Sequence, residues 1–140
     1  MTNAIQLDAE TLEFLQHPLL MRLGTIGPDG FPQVTPVWYI YDNNHFFTST
    51  QKARIKYRNI MRDPKIGASI DWETRPYRGL SIRGTAQFRE DNIAALVKRI
   101  CARYVPAAEL DAMVAWVLRG QRVIIEIEPI SIAKVGAGWM

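Results

Sequence analysis

Apolar and polar positions alternate along most of this chain in short blocks, punctuated by Pro, Gly, Asn and Asp. Residues 19–27, LLMRLGTIG, read as a strand, and Pro28-Asp29-Gly30 supplies turn chemistry before the next one. Residues 31–42, FPQVTPVWYIYD, are rich in β-branched and aromatic side chains and read as a second strand. Pro32 and Pro36 put that strand at a sheet edge or kink it where its backbone leaves the ladder. A turn at 42–44 leads into HFFTST (45–50), so these three segments predict an antiparallel meander. Residues 65–72 and 78–90 are further strands, the second a long one with Gly84 as a bulge or close-approach point. In QRVIIEIEP (121–129) Val123, Ile125 and Ile127 share one face, and residues 130–136 predict a last short strand.

Four stretches carry helical spacing instead. Residues 7–17 start with Asp8 as N-cap, and residues 54–63 have Ile55, Ile60 and Met61 as apolar anchors. Residues 91–105 are capped by Asp91 and carry a stripe of Ile93, Leu96, Val97 and Ile100. Residues 107–120 end at Gly120, a C′-type position. Tight turns between neighbouring strands exclude a parallel βαβ sheet. The pattern predicts a mainly-β fold: a small barrel of six to seven antiparallel strands with three to four peripheral helices.

Composition adds bounds. At 140 residues, 48% hydrophobic and 22% charged, the chain has the make-up of one globular domain, residues 1–140, able to bury a core without staples. No apolar run reaches the length of a membrane span. The start, MTNAIQLDAETLEF, lacks the basic and apolar regions of a signal peptide, and Cys101 is the single cysteine. A cytoplasmic protein without disulfides is expected. The net charge of +3 is mild, but its placement is not even. Lys52, Arg54, Lys56, Arg58 and Arg62 crowd into STQKARIKYRNIMRDP (49–64), with Asp63 the only acid.

Three readings of that basic run are open: a solvated helix face, a nucleic-acid patch and a phosphate cradle. The charges begin where a strand gives way to a helix, just after Thr48, Ser49 and Thr50. A helix start offers unpaired N–H groups and partial positive charge, and hydroxyls and cations added there make a phosphate site. Neither Gly-x-Gly nor Gly-Lys-Ser/Thr is present, so this is no Rossmann or P-loop cradle. Nucleic acid would need aromatics interleaved on a continuous basic groove, and only Tyr57 lies inside the run. Elsewhere the candidate chemistry is thin. His17 and His45 belong to no Cys/His cluster, so no metal and no side-chain nucleophile is expected. Cys101 reads as a core filler and Trp116 as core. Trp72 either packs or borders a pocket at the loop 73–77, and Trp139 either frays or enters a partner's site.

RIKYRNIMRDPKIGASID resembles the Arg-x-Lys-x-x-Asn run, followed by Asp-Pro, of the pyridoxamine 5′-phosphate oxidase-like split β-barrel family of flavin and deazaflavin oxidoreductases. GTIGPDGFPQVTPVWYIYD is similar to the family's first hairpin, YRGLSIRGTAQF to its long strand and RVIIEIEPISIAKVG to its closing strands. The resemblance implies a homodimer of split barrels with cofactor sites between protomers. It implies that Arg54 and Lys56 hold the cofactor phosphate, that Ser49 and Thr50 reach the same phosphate or the ribityl chain, and that Asn59 fixes the helix start. Thr35, Pro36, Val37 and Trp38 match the strand that lines the cofactor ring, with Pro36 and Trp38 as departures from the family pattern. The dearth of catalytic side chains fits hydride transfer, in which the cofactor carries the chemistry.

Two cofactors fit this reading. FMN has one terminal phosphate, whereas F420 is a deazaflavin with a longer, more negative tail. Lys52 and Arg58 beside Arg54 and Lys56 suit the longer anion, and the Arg-x-Lys-x-x-Asn form resembles the deazaflavin branch. F420 is therefore expected, with FMN as the alternative, acting on a small organic molecule. Oxidation of pyridoxamine phosphate itself is not expected, because no second basic cluster follows the last strands. A flavin carrier or sensor without turnover is the rival reading.

Overall fold

The computed structural model describes residues 5–139. The first helix, α1 (Ala9–Leu15), is capped as its sequence predicts, with the Asp8 carboxylate accepting the Thr11 N–H at 2.8 Å. β1 (Met21–Ile26) and β2 (Pro32–Val37) form the expected hairpin. Its turn needs a left-handed residue, supplied by Gly30 at φ +86°. The predicted second strand then breaks at Trp38-Tyr39, and its remainder is β3 (Ile40–Asp42). β3 pairs with β4 (His45–Gln51) across Asn43 and Asn44, both at positive φ as a tight hairpin turn requires.

The meander therefore does not form as one unit. The sheet order is β2-β1-β5-β6-β7-β4-β3, so the two hairpins occupy opposite edges. Pro32 and Pro36, which lack N–H donors, sit on the edge strand β2. A flat seven-stranded sheet would hold its edges about 29 Å apart at ~4.8 Å per strand. Three residues of chain, Val37 to Ile40, span at most about 11 Å. The sheet must curl until its edges meet, which makes it an antiparallel half-barrel of the split-barrel type.

β5 (Lys65–Asp71) follows the basic helix α2 (Ile55–Arg62), and β6 (Gly79–Arg89) pairs with both β5 and β7 (Arg122–Val135). The two expected closing strands are thus one. β7 runs through Pro129 because the register shifts between Arg83 and Gly84, skipping Ile130. That bulge accommodates the missing proline donor. Gly84 is a close-approach point, since a Cβ there would lie 2.6 Å from the Glu128 carbonyl oxygen.

Inside the curl, Phe14, Met21, Leu23, Phe46, Ile70, Leu80, Ile125 and Ile127 are buried in one core. A second apolar layer lies outside it, where α3 (Ile93–Ala102) and α4 (Leu110–Val117) pack against Ile40, Phe47 and Ile124. β7 is consequently apolar on both faces over Val123–Ile125. Three expectations need correction here. The N-cap of α3 is Asn92, with no side-chain cap hydrogen bond, and not Asp91, whose carboxylate is held by Arg89. In α2 only Ile60 of the three anchors is buried, Ile55 and Met61 being exposed. Trp116 is no core residue: it is 59% exposed. Trp139 is not frayed: its Nε1 donates to the Gly79 and Val135 carbonyls at 3.0 Å and its ring packs edge-on against Phe14. Among the described residues no helix is long and apolar enough to cross a membrane.

Candidate functional site

The break between β2 and β3 opens a cavity of about 480 Å³ bounded by Pro36, Val37 and Trp38, by Thr48–Gln51 of β4, by the start of α2 and by α3 and α4. Each wall follows from a local feature of the chain. Val37, opposite Met21, is the last residue of the β2 ladder, and Trp38 is fixed just beyond it. The Trp38 ring stacks on Tyr104 at 4.7 Å with an interplanar angle of 3°, and its carbonyl accepts a hydrogen bond from Thr48 Oγ1 at 2.6 Å. β4 then delivers Ser49, Thr50 and Gln51 to the cavity. α2 begins with Arg54 at its N-cap, in extended geometry and with no side-chain cap, so first-turn N–H groups are open.

Arg54 and Lys56 line the cavity, and a third cation, Arg122 at the start of β7, joins them. Arg122 stands opposite Gln51 in the strand register, and its Nη1 donates to Ser49 Oγ at 3.4 Å. The three repel one another. Burial pushes the Lys56 ammonium below the ordinary lysine value, and the charges of Arg54 and Arg122 push it further. Burial, then Arg119 and Arg54, lower Arg122 in the same way. Among the described residues no carboxylate lies within ion-pair distance of Arg54, Lys56 or Arg122, whereas Lys52 pairs with Glu90 at 2.7 Å and Arg99 with Asp42 at 3.2 Å. Arg122 Nε is buried without a partner. Such a cluster of mutually repelling cations, Lys56 and Arg122 half-buried and Arg54 exposed at the rim, beside two hydroxyls is chemically ready for an anion of two or more oxygens.

Not every expected residue is in that cluster. Ser49, Thr50, Arg54, Lys56, Pro36, Val37 and Trp38 meet around the cavity. Thr35 does not; it lies one residue short on β2, with its hydroxyl buried and unpartnered. Lys52 sits in the turn before α2 and is engaged by Glu90. Arg58 faces away and donates to the Ala53 carbonyl at 3.3 Å. Asn59 is buried, donating to Thr25 Oγ1 at 3.0 Å and accepting from Arg62 at 2.9 Å, so it ties α2 to β1 and does not border the cavity or the helix start. Sequence reading missed Arg122 altogether, and with it Gln51 and the apolar wall of Leu20, Val97, Ile100, Met113, Trp116 and Val117. No local motif marks Arg122; only the pairing of β4 with β7 brings it to the site. Cys101, read as a filler, is buried and also lines the cavity. Trp72 borders a different, smaller recess with Arg22, Asp71 and Tyr77.

The sequence from residue 7 to residue 136 matches the family described as pyridoxamine 5′-phosphate oxidase. No curated protein matches the chain. Among solved structures, one described as an F420 reductase is 32% identical, covers 92% of this chain and 98% of its own, and superposes with a TM-score of 0.73. The conserved hypothetical protein Rv2991 of Mycobacterium tuberculosis is 24% identical over 97% of this chain and 88% of its own, with a TM-score of 0.79. HutZ of Vibrio cholerae, a heme storage protein, is 15% identical over 96% of each chain, with a TM-score of 0.72. The last two are likenesses of fold.

Proposed function

This chain belongs to the pyridoxamine 5′-phosphate oxidase family, and we propose that it is an oxidoreductase that binds a phosphate-bearing deazaflavin or flavin, F420 in the first place, in the cavity between β2, β4 and α2. The observation that carries this reading is the trio of an exposed Arg54 and half-buried Lys56 and Arg122, all lining the cavity and, among the described residues, without carboxylate partners. A cofactor phosphate relieves their mutual repulsion and satisfies the open N–H groups at the start of α2. Ser49 and Thr50 add hydroxyls to the same group, and Pro36, Val37 and Trp38 flank the ring. Asn59 acts at one remove, holding α2 against β1 so that Arg54 and Lys56 keep their positions.

When bound, the cofactor supplies the hydride-transfer chemistry. The chain's residues bind, orient and shield it, and no side-chain acid or nucleophile is assigned. The outer face of β1, β2 and β5 is the proposed homodimer contact. There Gly24 lies opposite Gly67, and Val34 is 60% exposed, which leaves a largely apolar recess of about 560 Å³ edged by Arg22 and Lys65.

The 32% identity to an F420 reductase over nearly the full length of both chains supports F420. One observation favours FMN as the second reading: Lys52 and Arg58 lie outside the cavity, so the cations within it match one terminal phosphate better than a long anionic tail. Parallel fluorescence titrations of purified protein with F420 and FMN, at low and high salt, decide between them. Tighter F420 binding at low salt, with a gap that narrows as salt screens the tail, is expected. Tighter FMN binding at both salts overturns F420 and leaves the phosphate site standing.

A further inference from the structure

We infer that the wall formed by Met113, Trp116 and Val117 of α4 is a second subsite of the cavity, for an uncharged, flat, apolar molecule. Its setting rests on the reading above, in which the cationic wall takes the cofactor phosphate.

Three observations carry the inference. α4 reads LDAMVAWV, nearly all apolar, yet none of its residues is fully buried. An apolar helix ordinarily turns that character to a packed neighbour; Leu110, Met113, Val114 and Val117 do so only in part against the second core, Met113 and Val117 also line the cavity, and Trp116 faces it without joining that core. Second, Trp116 is 59% exposed but held in place. The Arg119 guanidinium lies 3.7 Å over its ring and donates to its backbone carbonyl at 3.0 Å. Gln51 Nε2 in turn donates to the Arg119 carbonyl at 3.0 Å, fastening the end of α4 to β4. Arg119 covers one face of the indole, so its other face is left for a guest. A rigid aromatic so placed offers a large contact area at little entropic cost.

Third, none of the side chains by which this wall lines the cavity is charged, the Arg119 guanidinium lying over the Trp116 ring without lining it. The wall's other members are Leu20, Val97 and Ile100, and Cys101, whose thiol burial holds in the neutral form. Anions are drawn to Arg54, Lys56 and Arg122 instead, so the division of charge assigns the two walls to two chemistries. A cavity of about 480 Å³ is of the size that encloses small molecules. In an oxidoreductase, a guest at this wall is the cofactor's reaction partner.

Calorimetric titration with two probes tests this: 2-methoxynaphthalene, which is neutral, and 2-naphthoate, the same ring bearing a carboxylate. Both are titrated into the full chain, free and saturated with FMN. The neutral probe is expected to bind in both states, and 2-naphthoate to be weakened by FMN. Trp116→Ala should weaken the neutral probe about tenfold, Trp116→Phe by no more than about twofold, and neither should change FMN affinity more than about twofold. Trp116 is exposed enough for both variants to fold. Four results overturn the inference: no binding of the neutral probe; its expulsion by FMN; a loss of FMN affinity in Trp116→Ala equal to that of the probe; or a change of sedimenting mass in that variant, which would assign the wall to a second copy of the chain. If FMN fails to bind while Trp116 still governs the neutral probe, the cofactor reading falls and the subsite stands.

Discussion

Lys56 is the residue on which the phosphate reading can be titrated. Its ordinary value is 10.5, and burial with two neighbouring guanidiniums lowers it in the folded protein. A lysine depressed by folding costs stability in full below its folded-state value, and the cost vanishes as pH rises toward 10.5. Phosphate binding needs the charged form, so cofactor affinity should fall at alkaline pH below the ordinary lysine range. Lys56→Arg should abolish that fall, because a guanidinium stays protonated; a titration series of both proteins across alkaline pH checks it, and identical profiles would contradict it. Arg62 is the contrasting case. It donates to the Ile26 carbonyl at 2.7 Å and to Asn59 at 2.9 Å, so it braces α2 and is not free in solvent. Arg62→Ala should lower stability by about 1 kcal/mol and leave cofactor affinity nearly unchanged, read by denaturant melts beside a binding curve. Arg54 and Lys56 were legible in the sequence because a motif and a strand-to-helix junction coincide there. Arg58 was not, because two residues along a helix turn the side chain through about 200°. Lys52 was misjudged because its partner Glu90 lies 38 residues away in sequence and beside it in space.

At the scale of elements, local chemistry settled the hairpin turns, the cap of α1 and the close approach at Gly84. What it did not reveal was where segments go. Residues 31–42 look like one strand because β-branched and aromatic residues continue through Trp38 and Tyr39. Only closure of the sheet sends its two halves to opposite edges, and that same break opens the cavity. The fused β7 was hidden for a similar reason: Pro129 reads as a strand end until Gly84 and the bulge at Ile130 accommodate it. Gly84→Ala should therefore destabilise the protein by about 1–3 kcal/mol, since the new Cβ would meet backbone and not a movable side chain. A thermal melt equal to that of the parent protein would contradict this account of the β6–β7 crossing.

For the whole molecule, the order of strands and helices supports a mainly-β barrel from sequence alone, whereas the assembly depends on a surface no motif describes. The face of Gly24, Gly67 and Val34 should bury itself against a second copy, giving a mass about twice 16.0 kDa by light scattering. Val34→Asp should shift the mass toward 16.0 kDa; an unchanged dimer would move the contact elsewhere. The apolar α4 wall was equally hidden, because a helix reading LDAMVAWV is indistinguishable in sequence from one packed into a core. The claim on which the rest depends is that Arg54, Lys56 and Arg122 form a phosphate cradle. Its most direct test compares FMN with riboflavin, which differ only in the phosphate, on the parent protein and on the Arg54→Ala/Lys56→Ala variant. Charge-assisted contacts contribute roughly 1.5–3 kcal/mol each, so the parent should prefer FMN by about a hundredfold or more, and the variant should lose most of that preference. Equal affinity for FMN and riboflavin in the parent, or a preference that survives the double substitution, would contradict it.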